Sequence, residues 1–191
     1  MPKTRLLFEG RIRDNSYDNL VFGLPSLDST DTQFLLGATW QRTYKTTGFF
    51  KVGYIQKNFD SDLRDDDSGL TWQSGIDWKP KTYSTVHLET TKTFNETNGD
   101  GDSIDASYYL LNWKHAWKTR FTTNINLAYQ NQTFNNDPRD DDYYQAGISA
   151  NYDFRRWLSI SAGYRYLNLN STDDTFDYDQ NIFEITADFT F

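Results

Sequence analysis

An all-β fold, an up-and-down antiparallel barrel of about ten strands crossing a membrane, is predicted by three features of the sequence. Apolar and polar residues alternate with a period of two from end to end, without a convincing period of 3.6. The alternating stretches run to about 9 to 12 residues, longer than the usual globular strand of about 5 to 6 and matched to a tilted membrane-spanning strand. Short basic connections alternate strictly with long acidic ones, which gives a meander with tight turns at one end and loops at the other.

The expected strands are Thr4–Arg13, Thr32–Tyr44, Gly48–Phe59, Gly69–Lys79, Tyr83–Phe94, Ala106–Trp117, Arg120–Phe134, Tyr143–Phe154, Trp157–Asn170 and Gln180–Phe191. Each puts its large apolar residues on one side. Phe8 and Ile12 lie on that side of the first strand, Leu36, Ala38 and Trp40 on the second, Phe50, Val52 and Tyr54 on the third, and Trp72, Ile76 and Trp78 on the fourth. The last strand continues the pattern with Phe183, Ile185, Ala187, Phe189 and Phe191. The opposite side carries Thr39, Gln41, Gln73, Asn112, Asn124, Asn126, Gln145 and Asn151, with Gly37, Gly53, Gly75, Gly147 and Gly163 among them. It also carries Arg5, Arg11, Arg13, Lys51, Lys57, Lys114 and Arg165 against Glu9, Asp77, Glu89, Asp153, Glu184 and Asp188, seven bases facing six acids. That face is too polar for a packed core.

The tight connections are "KTT", "KPKT", "WKTR" and "FRRW"; the long ones are "SYDNLVFGLPSLDST", "DSDLRDDDS", "NETNGDGDSID", "NNDPRDDD" and "STDDTFDYD". A repeated hairpin underlies them: Tyr54 to Ile76 and Tyr129 to Ile148 share an Arg-Asp-Asp-Asp run and a later Gln-x-Gly-Ile. Gly53-Tyr54, Ala128-Tyr129 and Gly163-Tyr164 repeat a small residue followed by Tyr. Tyr44, Trp78, Tyr83, Trp117 and Trp157 gather near the tight turns, as an aromatic girdle at a membrane interface would.

Composition narrows the function classes. The chain of 191 residues suits a single transmembrane barrel domain over residues 1–191, or the C-terminal part of a longer barrel. A net charge of -8 excludes a basic nucleic-acid surface. Absence of cysteine removes thiolate chemistry and disulfides. No apolar run approaches the roughly 20 residues of a membrane helix. The start "MPKTRLLFEG" lacks a signal peptide's apolar core, so for a secreted protein Met1 marks an engineered start of the mature chain or of a fragment.

At this point the sequence resembles a Gram-negative outer-membrane β-barrel. The terminal Phe189-Thr190-Phe191 resembles the C-terminal signal read by the barrel-assembly machinery, which implies that machinery, the lipid bilayer and lipopolysaccharide as partners. The ending "RYLNLNSTDDTFDYDQNIFEITADFTF" more narrowly resembles a β-barrel porin family associated with exopolysaccharide export operons, whose members are usually longer. The resemblance implies a porin-like or export-associated barrel, non-enzymatic, that assists passage of polysaccharide or small solutes. Arg11, Arg13, Lys51, Lys57, Asp77, Glu89, Lys114, Arg165, Glu184 and Asp188 are expected to line the lumen and to pair across it, largely blocking a barrel of only ten strands.

Three other readings stay open: a structural or adhesive barrel acting through its acidic loops, a soluble lipid-binding barrel, and an outer-membrane hydrolase. Outer-membrane proteases resemble one another in a rim Asp and His, but no Asp-x-His occurs here, and His87 and His115 both lie near the tight-turn end. A Ser-His-Asn set is not singled out by anything in the sequence. Asp100, Asp102 and Asp105 in "NGDGDSID" offer hard oxygen ligands for calcium, although the full calcium-loop pattern is missing. A hydrated acidic rim is the plainer reading, and no other cofactor is expected.

Overall fold

Backbone hydrogen bonding carries the alternation into one sheet in the computed structural model, which describes residues 3–17, 26–43, 45–97 and 101–190. Its strands are β1 (Lys3–Asn15), β2 (Ser29–Thr43), β3 (Thr46–Phe59), β4 (Asp67–Lys81), β5 (Ser84–Glu96), β6 (Ser103–Lys118), β7 (Phe121–Phe134), β8 (Asp140–Arg155), β9 (Leu158–Ser171) and β10 (Tyr178–Phe189). They lie in sequence order, each antiparallel to the next. All ten expected strands are present.

The ladders run further toward the loops than the apolar pattern does. β2 begins at Ser29, β4 at Asp67, β6 at Ser103 and β8 at Asp140, because polar residues continue the backbone pairing, with Asp67 opposite Lys57 and Ser103 opposite Glu96. At the other end, the register shifts between Gln41 and Thr43, Trp78 and Lys81, Ala116 and Lys118, and Asp153 and Arg155. Each shift lies where a strand enters a tight turn, so the extra twist of a bulge fits the turn to the hairpin.

The apolar face is the exposed one. Leu6 is 86% exposed, Ile12 79% and Ile185 82%, and Phe8, Leu36 and Phe183 are likewise open. A soluble barrel would enclose this face; here it points outward. The sheet curls toward its polar face, where Lys51 of β3 reaches Glu9 of β1 and Lys57 of β3 reaches Glu96 of β5, each passing an intervening strand.

Neighbouring strands leave no room for a side chain at several glycines of β2 to β4. A Cβ on Gly53 would stand 1.7 Å from the Phe34 carbonyl oxygen, so only glycine fits there, and Gly75 lies 2.6 Å beneath the Phe49 ring by the same measure. Gly147 and Gly163 have ordinary surroundings, so crowding accounts for only part of the glycine pattern. Pairing of β4 with β5 stops at Trp72 and Lys92, and above that point the β5–β6 hairpin carries Glu96 to Lys57. Leu35 and Ile55 are buried on the polar face, and Ile104, Ala106 and Phe134 form a small apolar cluster near the loops. Among the described residues β1 pairs only with β2 and β10 only with β9, so both outer edges lack a strand partner.

Candidate functional site

The polar face is built from every second residue of ten strands, so its character is fixed strand by strand. At the loop end Lys57, 1% exposed in its side chain, places Nζ 2.9 Å from Asp31 Oδ1 and 3.6 Å from Glu96 Oε1. Asn15 Nδ2 donates to the other Asp31 oxygen at 3.3 Å. Gln33 donates to Thr71 Oγ1 at 3.0 Å, and the Thr71 hydroxyl donates to the Lys92 carbonyl at 2.6 Å, so the neighbouring polar groups are satisfied within the sheet.

Toward the middle, Glu9 binds both Arg11 and Lys51, the latter at 2.7 Å. His87 is flanked by carboxylates, with Nδ1 2.8 Å from Asp77 and Nε2 3.4 Å from Glu89. Both ring nitrogens therefore face carboxylates. Nearer the tight turns a cavity of about 700 Å³ opens between β3 and β8, with Lys45, Asp77, Lys79, Asn112, Lys114 and Asn124 in its lining.

Five of the expected lumen residues thus pair: Arg11, Lys51, Lys57, Asp77 and Glu89. Arg13, Lys114, Arg165, Glu184 and Asp188 form no ion pair with a described residue; Glu184 accepts only from Thr186. Arg11–Glu9 and His87–Glu89 lie within one strand, and the other pairs link neighbouring or next-neighbouring strands, instead of spanning an interior. Asp31 and Glu96 were missed by sequence reasoning. Extending the alternation of β2 past Thr32 would have found Asp31, whereas Glu96 depends on where the β5–β6 hairpin goes, which no local pattern records.

The two Arg-Asp-Asp-Asp runs do different work. Arg64, 4% exposed in its side chain, donates to the Ser26 carbonyl at 3.1 Å, the Gly101 carbonyl at 3.0 Å and Asp102 Oδ1 at 3.2 Å, joining three loops. Asn136 adds the next loop by donating to Asp65 and Asp102. Arg139 forms a forked pair with Asp141 and lies over two rings, 4.4 Å from Phe134 and 3.5 Å from Phe176. Asp173 caps the short 3-10 turn Asp174–Phe176, and the hydroxyl and amide of Thr175 hold its carboxyl below the usual carboxylate range.

Of the calcium candidates, Asp100 lies outside the described residues. Asp102 is taken up by Arg64, Asn136 and the Asp65 amide, while Asp105 is 2.7 Å from Lys92. Calcium at these carboxylates would have to displace both cations. Among the described residues, no group of three acidic or histidine side chains is placed to hold a metal.

On the outer face Trp78, Tyr83, Trp117 and Trp157 are half-exposed near the tight turns, while Tyr44 lies outside the described residues. His115 packs among Tyr83, Trp113 and Trp117, with its ring 4.3 Å from the last. Phe189 stacks on Trp157 at 6.2 Å; Phe191 is outside the described residues. A second belt was not anticipated: Tyr54, Tyr129, Tyr164 and Tyr166 donate their phenols to Ser68, Asp142, Asn181 and Asp179 of the adjoining strand. The repeated small-residue-then-Tyr pairs were its signal. From Trp157 to Tyr166 is nine residues. At about 3.3 Å per residue and roughly 40° of tilt this spans about 23 Å, matching the band of about 25 Å in a membrane barrel.

A family model described as "Putative beta-barrel porin 2" matches residues 1–191. Among solved structures the chain is similar to a "CymD monoaromatic hydrocarbon channel", at 15% identity and a TM-score of 0.46, over 86% of this chain and 52% of that one. The chain spans about half the length of that protein. No curated protein matches.

Proposed function

The chain belongs to the Putative beta-barrel porin 2 family, and we propose that it forms a non-enzymatic, porin-like passage in a Gram-negative outer membrane, for small polar solutes or as part of polysaccharide export. The observation that carries this reading is the inversion of the two faces: large apolar side chains lie outside and a charged, partly buried face lies within the curl. Water would penalise that outer face, whereas lipid accepts it.

A bilayer leaves no water for unpaired backbone groups, so β1 and β10 need partners there. They run in opposite directions, and their polar faces are complementary, with Arg5, Arg11 and Arg13 on β1 against Glu184 and Asp188 on β10. A seam between them closes the barrel. Phe189 and Phe191 serve as the assembly address, and lipopolysaccharide surrounds the acidic loops.

The test is single-channel recording of the full chain refolded into a planar bilayer. Small discrete steps are expected, because the Lys51–Glu9 pair reaches across β2 on the polar face, and Lys51→Ala should enlarge them. Folded, heat-modifiable protein that gives no steps in either form would overturn the reading.

A further inference from the structure

The charges of the polar face are sorted along the barrel. Toward the loop end and in the loops, four cations lie against carboxylates, Lys57 at Asp31, Arg64 at Asp102, Lys92 at Asp105 and Arg139 at Asp141, while Arg13 forms no ion pair with a described residue. The tight-turn end differs. Lys79 and Lys114 are exposed in the cavity of about 700 Å³ and make no ion pair with a described residue. Asp77, the carboxylate among its lining residues, is held by His87 at 2.8 Å. Lys45 adds a third ammonium to the lining, and Asn112, Asn124 and Ser149 contribute amides and a hydroxyl. A smaller cavity of about 300 Å³ at the same end is lined by Arg120, Arg155 and Arg156 together with Asp153 and Asp188.

The exposed ammonium groups of Lys79 and Lys114 beside neutral hydrogen-bonding groups suit a ligand that carries both negative charge and hydroxyls. Walls of low dielectric focus the field of such groups into the opening and raise the local concentration of anions. Once past the middle, the same anion meets the acidic loops, which repel it outward. We propose that the cavity at the tight-turn end is a binding site for polyhydroxylated anions, sugar units bearing carboxylate or phosphate, with Lys79 and Lys114 supplying the charge recognition and Asn112, Asn124 and Ser149 the hydrogen bonds. This site deepens the passage reading and rests on it: anions are drawn in at the tight-turn end and released at the acidic end.

The test uses the full chain refolded in detergent at low ionic strength. A trimer of galacturonic acid is titrated calorimetrically, with maltotriose as the neutral trimer and inorganic phosphate as the anion without hydroxylated rings. The trimeric acid should bind, maltotriose should not, and phosphate should bind more weakly than the trimer. Lys79→Gln and Lys114→Gln should each weaken the trimer about tenfold, and Lys81→Gln, outside the lining, should leave it unchanged. Both substituted lysines are exposed, and a heat-modifiable band confirms that each variant is folded.

Equal affinity for maltotriose, or unchanged affinity in both glutamine variants, would overturn the site. Phosphate as tight as the trimer would reduce it to a plain anion site and overturn the sugar-acid assignment. Reversal potentials in a salt gradient separate the two readings. A conducting barrel with cation preference retains the passage and removes the anion site; a silent barrel with lysine-dependent binding retains the site and removes the passage.

Discussion

Lys57→Met is expected to destabilise the refolded protein by about 3 kcal/mol, at the lower end of the cost of breaking a buried ion pair from one side. The side chain is 1% exposed, and its ammonium serves Asp31 at 2.9 Å and Glu96 at 3.6 Å. Methionine fills the volume but leaves Asp31 charged among Ser29, Gln33 and Thr71, all of them buried. Partial exposure of Glu96 lets its carboxylate rehydrate, which keeps the loss below the upper end of that range. The measurement is the urea concentration at which half of the heat-modifiable band is lost. Lys114→Met, at an exposed position without a described ion pair, should move that midpoint little, and adding Asp31→Asn to Lys57→Met should recover part of the loss. Equal shifts for Lys57→Met and Lys114→Met would show that burial of the pair contributes nothing.

Gly53→Ala is expected to prevent folding or to cost about 3 kcal/mol, the upper part of the usual overpacking range. The new methyl would lie 1.7 Å from the Phe34 carbonyl oxygen and 2.9 Å from the Leu35 Cα, so the backbone of β2 would have to withdraw. Leu35 is opposite Gly53 in the ladder and is itself buried, so withdrawal would also open the apolar contacts on the polar face. Gly147→Ala is the matched control, because its nearest neighbour would be the Tyr164 carbonyl oxygen at 3.7 Å, an ordinary contact. The expected result is a heat-modifiable band for the Gly147 variant and little or none for the Gly53 variant. Comparable bands would contradict the close approach of β2 to β3.

The strand order and the identity of the two faces were legible because a period of two survives any register that keeps one face in lipid. Phe8, Leu36, Phe50 and Ile185 therefore fell on the right side without any knowledge of contacts. The ends of the ladders were not legible, since Ser29, Asp67, Ser103 and Asp140 pair through backbone groups that carry no side-chain signature. Alternation also assigns a face without saying what fills it. Leu35, Ile55, Ile104 and Phe134 are buried on or near the polar face, and Lys57 meets Glu96 only because β5 leaves β4 above Lys92. The identical Arg-Asp-Asp-Asp runs show the same limit: Arg64 joins loops, whereas Arg139 is clamped between rings, and only tertiary neighbours separate them.

The central claim is that the apolar face meets lipid and the polar face meets water. The chain has no cysteine, so single cysteines report cleanly. By alternation along β7, Asn124→Cys and Asn126→Cys fall on the polar face, while Ile125→Cys and Leu127→Cys fall on the apolar one, where Leu127 is 46% exposed. Each is refolded into liposomes and treated with a membrane-impermeant, water-soluble maleimide. The expected result is strict alternation, with reaction at 124 and 126 and none at 125 and 127. Labelling at 125 and 127 as fast as at 124 and 126 would place the apolar face in water and contradict a membrane barrel.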